Sequence, residues 1–157
     1  MKTMPPFAHA GFLGYLEQLD GGISPTAAAS MPAPLVSLLF VPDGSGRATR
    51  CAELLLQLLR ARLSVLQAAW DTELAADELR RHQKFAKPGQ PSPHIVGLRQ
   101  KQAAARQASS VAKQSLIKAA SGFVREAGIT VPQREALELF IERWIEANVP
   151  KAFVAVP

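Results

Sequence analysis

The chain has 157 residues, 48% of them apolar but only 6% aromatic, with a net charge of +5 and a single cysteine. That length suits one domain with a substantial apolar interior, and an apolar content drawn mostly from Ala and Leu favours helix over strand. The lone Cys51 excludes an internal disulfide and a thiolate zinc site, and points to a reducing, cytoplasmic compartment.

The first segment, roughly Pro6 to Leu19, places Phe12, Leu16 and Leu19 at helical spacing beside Tyr15, and stops at Asp20-Gly21-Gly22. Gly11 and Gly14 loosen this short helix. Ser24-Pro25 has the form of a cap followed by proline at the first helical position, opening a brief turn through Thr26 to Met31 that Pro32 and Pro34 end. The run Leu35 to Val41 fits a short strand or two helical turns, and the helical context favours the latter. No charge occurs from Gly21 to Pro42, but Pro25, Pro32, Pro34 and Pro42 would break a spanning helix there. The N-terminus dimly resembles a secretory signal. His9, Glu17 and Asp20 interrupt its apolar stretch, so an unprocessed protein is expected.

Pro42-Asp43-Gly44-Ser45-Gly46 reads as a connection, with Thr49 or Ser45 capping the long helix after it. From Arg47 to about Ala86 there is no proline or glycine. Glu53, Gln57, Arg60, Ser64, Gln67 and Asp71 form one polar stripe, opposite Ala52, Leu55, Leu56, Leu59, Leu63, Leu66 and Trp70, with Leu54 and Leu58 alongside. This is the expected core helix, and Cys51 in its apolar run reads as a packed thiol. Lys87 to Pro93 is a turn closing on Ser92 as a cap. A second long helix runs from His94 to about Ala127 and ends at Gly128, with Ile95, Leu98, Ala105, Ala112, Leu116, Phe123 and Ala127 as its core stripe, interrupted by Gln102 and Ser109. Thr130-Val131-Pro132-Gln133 resembles a capping box, so a third helix is expected from about 131 to 147. Leu137, Phe140, Ile141, Trp144 and Ile145 form its apolar face, and Glu135, Glu138, Glu142 and Glu146 the other. The fold expected is therefore all-α. It is a helical bundle on a long antiparallel hairpin (about 47–86 and 94–127), with short N-terminal helices and a C-terminal amphipathic helix. Residues 1–157 are read as a single domain.

Charge is the most informative pattern. Leu79 to Arg125 contains ten basic residues and no acid, whereas residues 1–78 carry five basic and eight acidic side chains, and residues 126–157 three and five. A one-signed block on an otherwise acidic chain points to a polyanionic or acidic partner. The expected phosphate-contacting residues are Arg80, Arg81, Lys84, Lys87, Arg99, Lys101, Arg106, Lys113 and Lys118, with Arg125 completing the block. Arg99, Arg106 and Lys113 recur every seven residues and form one ridge, with Lys118 and Arg125 roughly 100° further round. Interleaved Gln and Ser could donate to phosphate oxygens, and only Phe85 and Phe123 are aromatic, so contact with the backbone is expected rather than base stacking. The competing readings are a solvated face, or one neutralised by the glutamates of the third helix.

Other chemistry finds little footing. His9, His82 and His94 lie on different elements without ligand spacing, and Glu78 and His82, four apart, make only a common helical pair. Residues 42–49 lack the glycine spacing and lysine of a phosphate-binding loop. No nucleophile has an evident base, so no catalytic residue, metal or cofactor is assigned. In properties, though in no motif, the chain is similar to helical small subunits of CRISPR effector complexes and to accessory DNA-binding proteins of plasmids and phages. The expected function is non-enzymatic DNA or RNA backbone binding within a larger assembly. The alternative is a helical adaptor, chaperone or structural subunit that binds protein, through its basic face or the small-residue face of 103–122. Protein partners or self-association through the long helices accompany either reading, without a membrane.

Overall fold

The computed structural model describes residues 3–20, 32–42, 47–84, 89 and 92–153. Five helices are found among them: α1 (Ala10–Asp20), α2 (Ala33–Leu39), α3 (Arg50–Gln83), α4 (Pro93–Ala127) and α5 (Leu137–Asn148). The fold is an all-α bundle in which α3 and α4 pack as a long antiparallel hairpin. The hairpin follows from its punctuation. Neither glycine nor proline interrupts α3. At the start of α4 Ser92 Oγ accepts the Ile95 N–H at 3.2 Å, and Pro93 follows in the first turn, where no intrahelical donor is needed. At its end Gly128 takes φ +68°, and Ile129 N–H closes back on the Val124 carbonyl at 3.0 Å. That left-handed step strains any residue with a Cβ, so glycine terminates the helix there.

The main core lies at the end of the hairpin away from its turn. Phe12 and Leu16 of α1, Leu35 and Leu39 of α2, Leu55, Leu56 and Leu59 of α3, Leu116 and Phe123 of α4, and Ile141 and Ile145 of α5 are all buried there. Phe123 meets Trp144 edge-on, with ring centroids 5.0 Å apart. The C-terminal segment packs as far as Phe153, whose ring lies 5.3 Å from both Phe12 and Tyr15. Gly11 makes that approach possible, since a Cβ there would fall 1.9 Å from the Phe153 carbonyl oxygen. Cys51 is buried in this core, and burial, then the charge of Glu126, push its thiol pKa up. Both effects disfavour the reactive thiolate.

Several local expectations differ from the structure. Thr49 occupies the cap position of α3, but its hydroxyl donates to the Leu38 carbonyl instead and ties α2 to the start of α3. Leu35 to Leu39 are helical, whereas Phe40 forms an isolated antiparallel bridge with Ala48. Beyond Leu59 the buried line of α3 passes through Val65, Ala68, Ala75 and Leu79, leaving Leu63, Leu66 and Trp70 half-buried. Close approach to the small residues of α4 selects Ala over the larger side chains beside it. The capping-box reading of 130–133 fails. Pro132 opens a turn closed by Glu135 N–H on its carbonyl, and α5 starts only at Leu137. The turn at Ser24 to Met31, Ser45, Phe85 and Lys87 lie outside the described residues.

Candidate nucleic-acid interface

Toward its turn the hairpin becomes a two-helix arm. Between residues 71 and 111 the only buried described side chains are Ala75, Leu79, Ile95 and Leu98, all along the α3–α4 contact. Leu79, Ile95 and Leu98 form a small apolar cluster of their own near the tip. Below it, Thr72 Oγ1 donates to the Ala68 carbonyl at 2.8 Å and lies 3.3 Å from the Ala105 carbonyl of α4. The short alanine, serine and threonine side chains let the two backbones come this close, but they bury little area, so contact along the arm rather than a third layer holds it.

The helical wheel sorts the basic block. On α4, Arg99, Arg106 and Lys113 stand about 100°, 80° and 60° round from the centre of the contact with α3, all on one flank, and span about 21 Å along the axis. On α3, Arg80 and Lys84 stand about 110° and 150° from the corresponding line. In an antiparallel pair these lie on the same flank as the ridge. The opposite flank is marked by contacts across it, between Glu78 and Lys101 and between His82 and His94. Arg81 points outward from α3, and Lys118 and Arg125 occupy the back of α4, about 160–180° from the contact. Sequence spacing thus correctly paired Lys118 with Arg125, but it could not tell which cations face the same way as Arg80.

Ion pairing separates these cations further. Arg80 pairs with Asp77, and Lys101 Nζ lies 3.1 Å from Glu78 Oε2. The Lys101 hydrogen bond and charge hold the Glu78 carboxyl below its usual range. Arg81, Lys84, Arg99, Arg106, Lys113, Lys118 and Arg125 are exposed and form no ion pair with a described residue. Three of the four ridge glutamates have partners outside the block, and Glu138 forms no ion pair with a described residue. Glu142 takes Arg62 at 2.7 Å, Glu135 takes Arg143, and Glu146 takes Lys151 at 2.5 Å, which lowers the Glu146 pKa chiefly through that hydrogen bond. The acidic ridge therefore does not neutralise the basic block. Opposing charges on neighbouring surfaces were visible in the sequence, but their pairing depended on where α5 docks.

The structure also places two groups that spacing did not bring together. His9 is only 2% exposed, with Nδ1 3.3 Å from the Pro150 carbonyl and Nε2 3.6 Å from Glu146. It borders an apolar groove shared with Phe7, Leu66, Trp70 and Glu73, in which no described lining residue is a Ser, Thr or Cys that could act as a nucleophile. His82 and His94 meet across the hairpin tip, Nε2 to Nε2, at 3.4 Å. Among the described residues no three His, Cys, Asp or Glu side chains are grouped to hold a metal, and no helix is long and apolar enough to cross a membrane. On the flank with Glu78 and Lys101, Ala104, Ala108 and Ser115 surround Val111, which is 52% exposed. No family model matches the chain, and neither the curated proteins nor the solved structures give a match.

Proposed function

We propose that the protein is a non-enzymatic nucleic-acid-binding protein that grips the phosphate backbone along one flank of its helical arm, as a subunit or accessory factor of a larger nucleoprotein assembly. The observation that carries this reading is the set of exposed cations that form no ion pair with a described residue, while Glu135, Glu142 and Glu146 are paired to arginines and a lysine outside the block. The ridge of Arg99, Arg106 and Lys113 presents regularly spaced charge, and its axial span of about 21 Å matches about six nucleotide steps of duplex at ~3.4 Å each. Glutamine and serine beside it add neutral donors for phosphate oxygens. Contacts of this kind position a backbone without reading bases, so binding tolerates sequence and weakens with salt. Lys84 extends the ridge toward the tip, whereas Arg80, paired with Asp77, and Lys101, held by Glu78, contribute less. The test is a mobility shift with single- and double-stranded DNA and RNA at low and high salt. Changing Arg99, Arg106 and Lys113 together to Glu abolishes binding under this reading; binding that survives the change refutes it.

A second reading, a helical adaptor, draws support from the exposed Val111 among Ala104, Ala108 and Ser115. This strip is neutral and permits close helix approach. The adaptor reading expects copurification of a defined protein partner that resists nuclease and is lost when Ala104 and Ala108 are changed to Glu.

A further inference from the structure

We propose that the tip of the hairpin is a two-histidine zinc clip, in which the Nε2 atoms of His82 and His94 bind one Zn2+ and tie the end of α3 to the start of α4. The two nitrogens are 3.4 Å apart and both rings are exposed. Zinc–imidazole bonds of about 2.0–2.1 Å at the tetrahedral angle place two ligand nitrogens about 3.3–3.4 Å apart. The same bonds at a right angle would bring them to about 2.8–3.0 Å, so the spacing suits a tetrahedral ion better than an octahedral one. The rings now pack edge to face with centroids 4.4 Å apart. Turning both nitrogens toward a common ion opens the centroids to about 5 Å.

Two protein ligands leave two positions for water, so the site is weaker than a structural zinc site with four protein ligands. The surrounding cations also oppose a divalent ion. Glu78, one turn before His82, offsets part of that repulsion, since its carboxylate is close enough to feel the charge of both imidazoles. The position gives the ion a structural consequence. Among the described residues only Leu79, Ile95 and Leu98 hold the tip together by burial, and a cross-link one turn beyond Leu79 restrains both helix ends. This inference stands on the imidazole geometry and does not depend on nucleic-acid binding.

The experiment is calorimetric titration of the full chain with zinc chloride, alongside His82→Gln and His94→Gln, with helicity checked by circular dichroism. Loss of an outer-sphere partner alone weakens zinc sites about 10–100-fold. Each single change is therefore expected to weaken binding by about tenfold at least, and the double change to remove it. Zinc should also slow amide exchange at residues 79–83 and 95–98 in the native chain and leave it unchanged in the double variant. Absence of saturable binding, or binding that both single variants retain unchanged, would overturn the proposal.

Discussion

Gly11 and Gly14 share α1 and differ by one turn, yet the structure assigns their replacement by alanine opposite signs. At Gly11 the new methyl would lie 1.9 Å from the Phe153 carbonyl oxygen and 3.0 Å from its carbon, so the C-terminal segment must move. That segment holds a Phe153 ring only 7% exposed, two aromatic contacts, and a hydrogen bond from Ala152 N–H to the Ala8 carbonyl at 3.0 Å. Burial of the ring stabilises by about 1.5–3 kcal/mol, each aromatic contact by about 0.5–1.5, and the hydrogen bond by about 1. A partial shift forfeits a large share of this, while the better helix propensity of alanine offsets about 1 kcal/mol. Net destabilisation of about 2–3 kcal/mol is expected. At this chain length 1 kcal/mol moves Tm by about 2–4 °C, so Gly11→Ala should lower it by about 4–12 °C. Gly14→Ala meets nothing within 4 Å, and should raise Tm by about 2–4 °C through helix propensity alone. Thermal unfolding of the two variants side by side checks this. A Gly11→Ala protein as stable as Gly14→Ala would refute the docking of the C-terminal segment on α1.

Phe123 is fully buried against Trp144 where α4 meets α5, so Phe123→Ala should destabilise by about 3–5 kcal/mol in denaturant unfolding; a loss under about 1 kcal/mol would place α5 elsewhere. Glu78 has a folded pKa below its ordinary 4.5, mainly through Lys101. A depressed carboxylate contributes stability above the unfolded pKa and loses it as pH falls through the folded value. Lys101→Met should therefore flatten part of the fall in Tm on acidification below about pH 4.5, and an identical acid profile in both proteins would contradict the pairing.

The long hairpin was legible because its signals are local. Ser92-Pro93 and Gly128 act within one turn of chain, α3 contains neither proline nor glycine, and α4 has proline only at its first position. Burial was less legible where two candidate stripes ran side by side. Leu63, Leu66 and Trp70 looked like core by hydrophobicity, but the buried line passes through Ala68 and Ala75, with Thr72 between them reaching the Ala105 carbonyl of α4. The same dependence on docking hid the start of α5, where Pro132 serves a turn. In the basic block, the ridge at 99, 106 and 113 followed from a seven-residue step. The pairing of Lys101 with Glu78 and the meeting of His82 with His94 span 23 and 12 residues, and needed the register of the hairpin. Lys118 and Arg125 belong to the block in sequence but face away from its flank.

The salt dependence of nucleic-acid affinity tests the central claim most directly. A protein that releases counterions from B-DNA loses affinity with a log–log slope of about −0.9 for each phosphate contacted, and about −0.7 on single strands. If Arg99, Arg106 and Lys113 each hold a phosphate, changing all three to Gln should flatten the slope by about 2–3 and weaken binding at low salt far more than at high salt. An unchanged slope, with affinity retained, would contradict a phosphate grip along this flank of the arm.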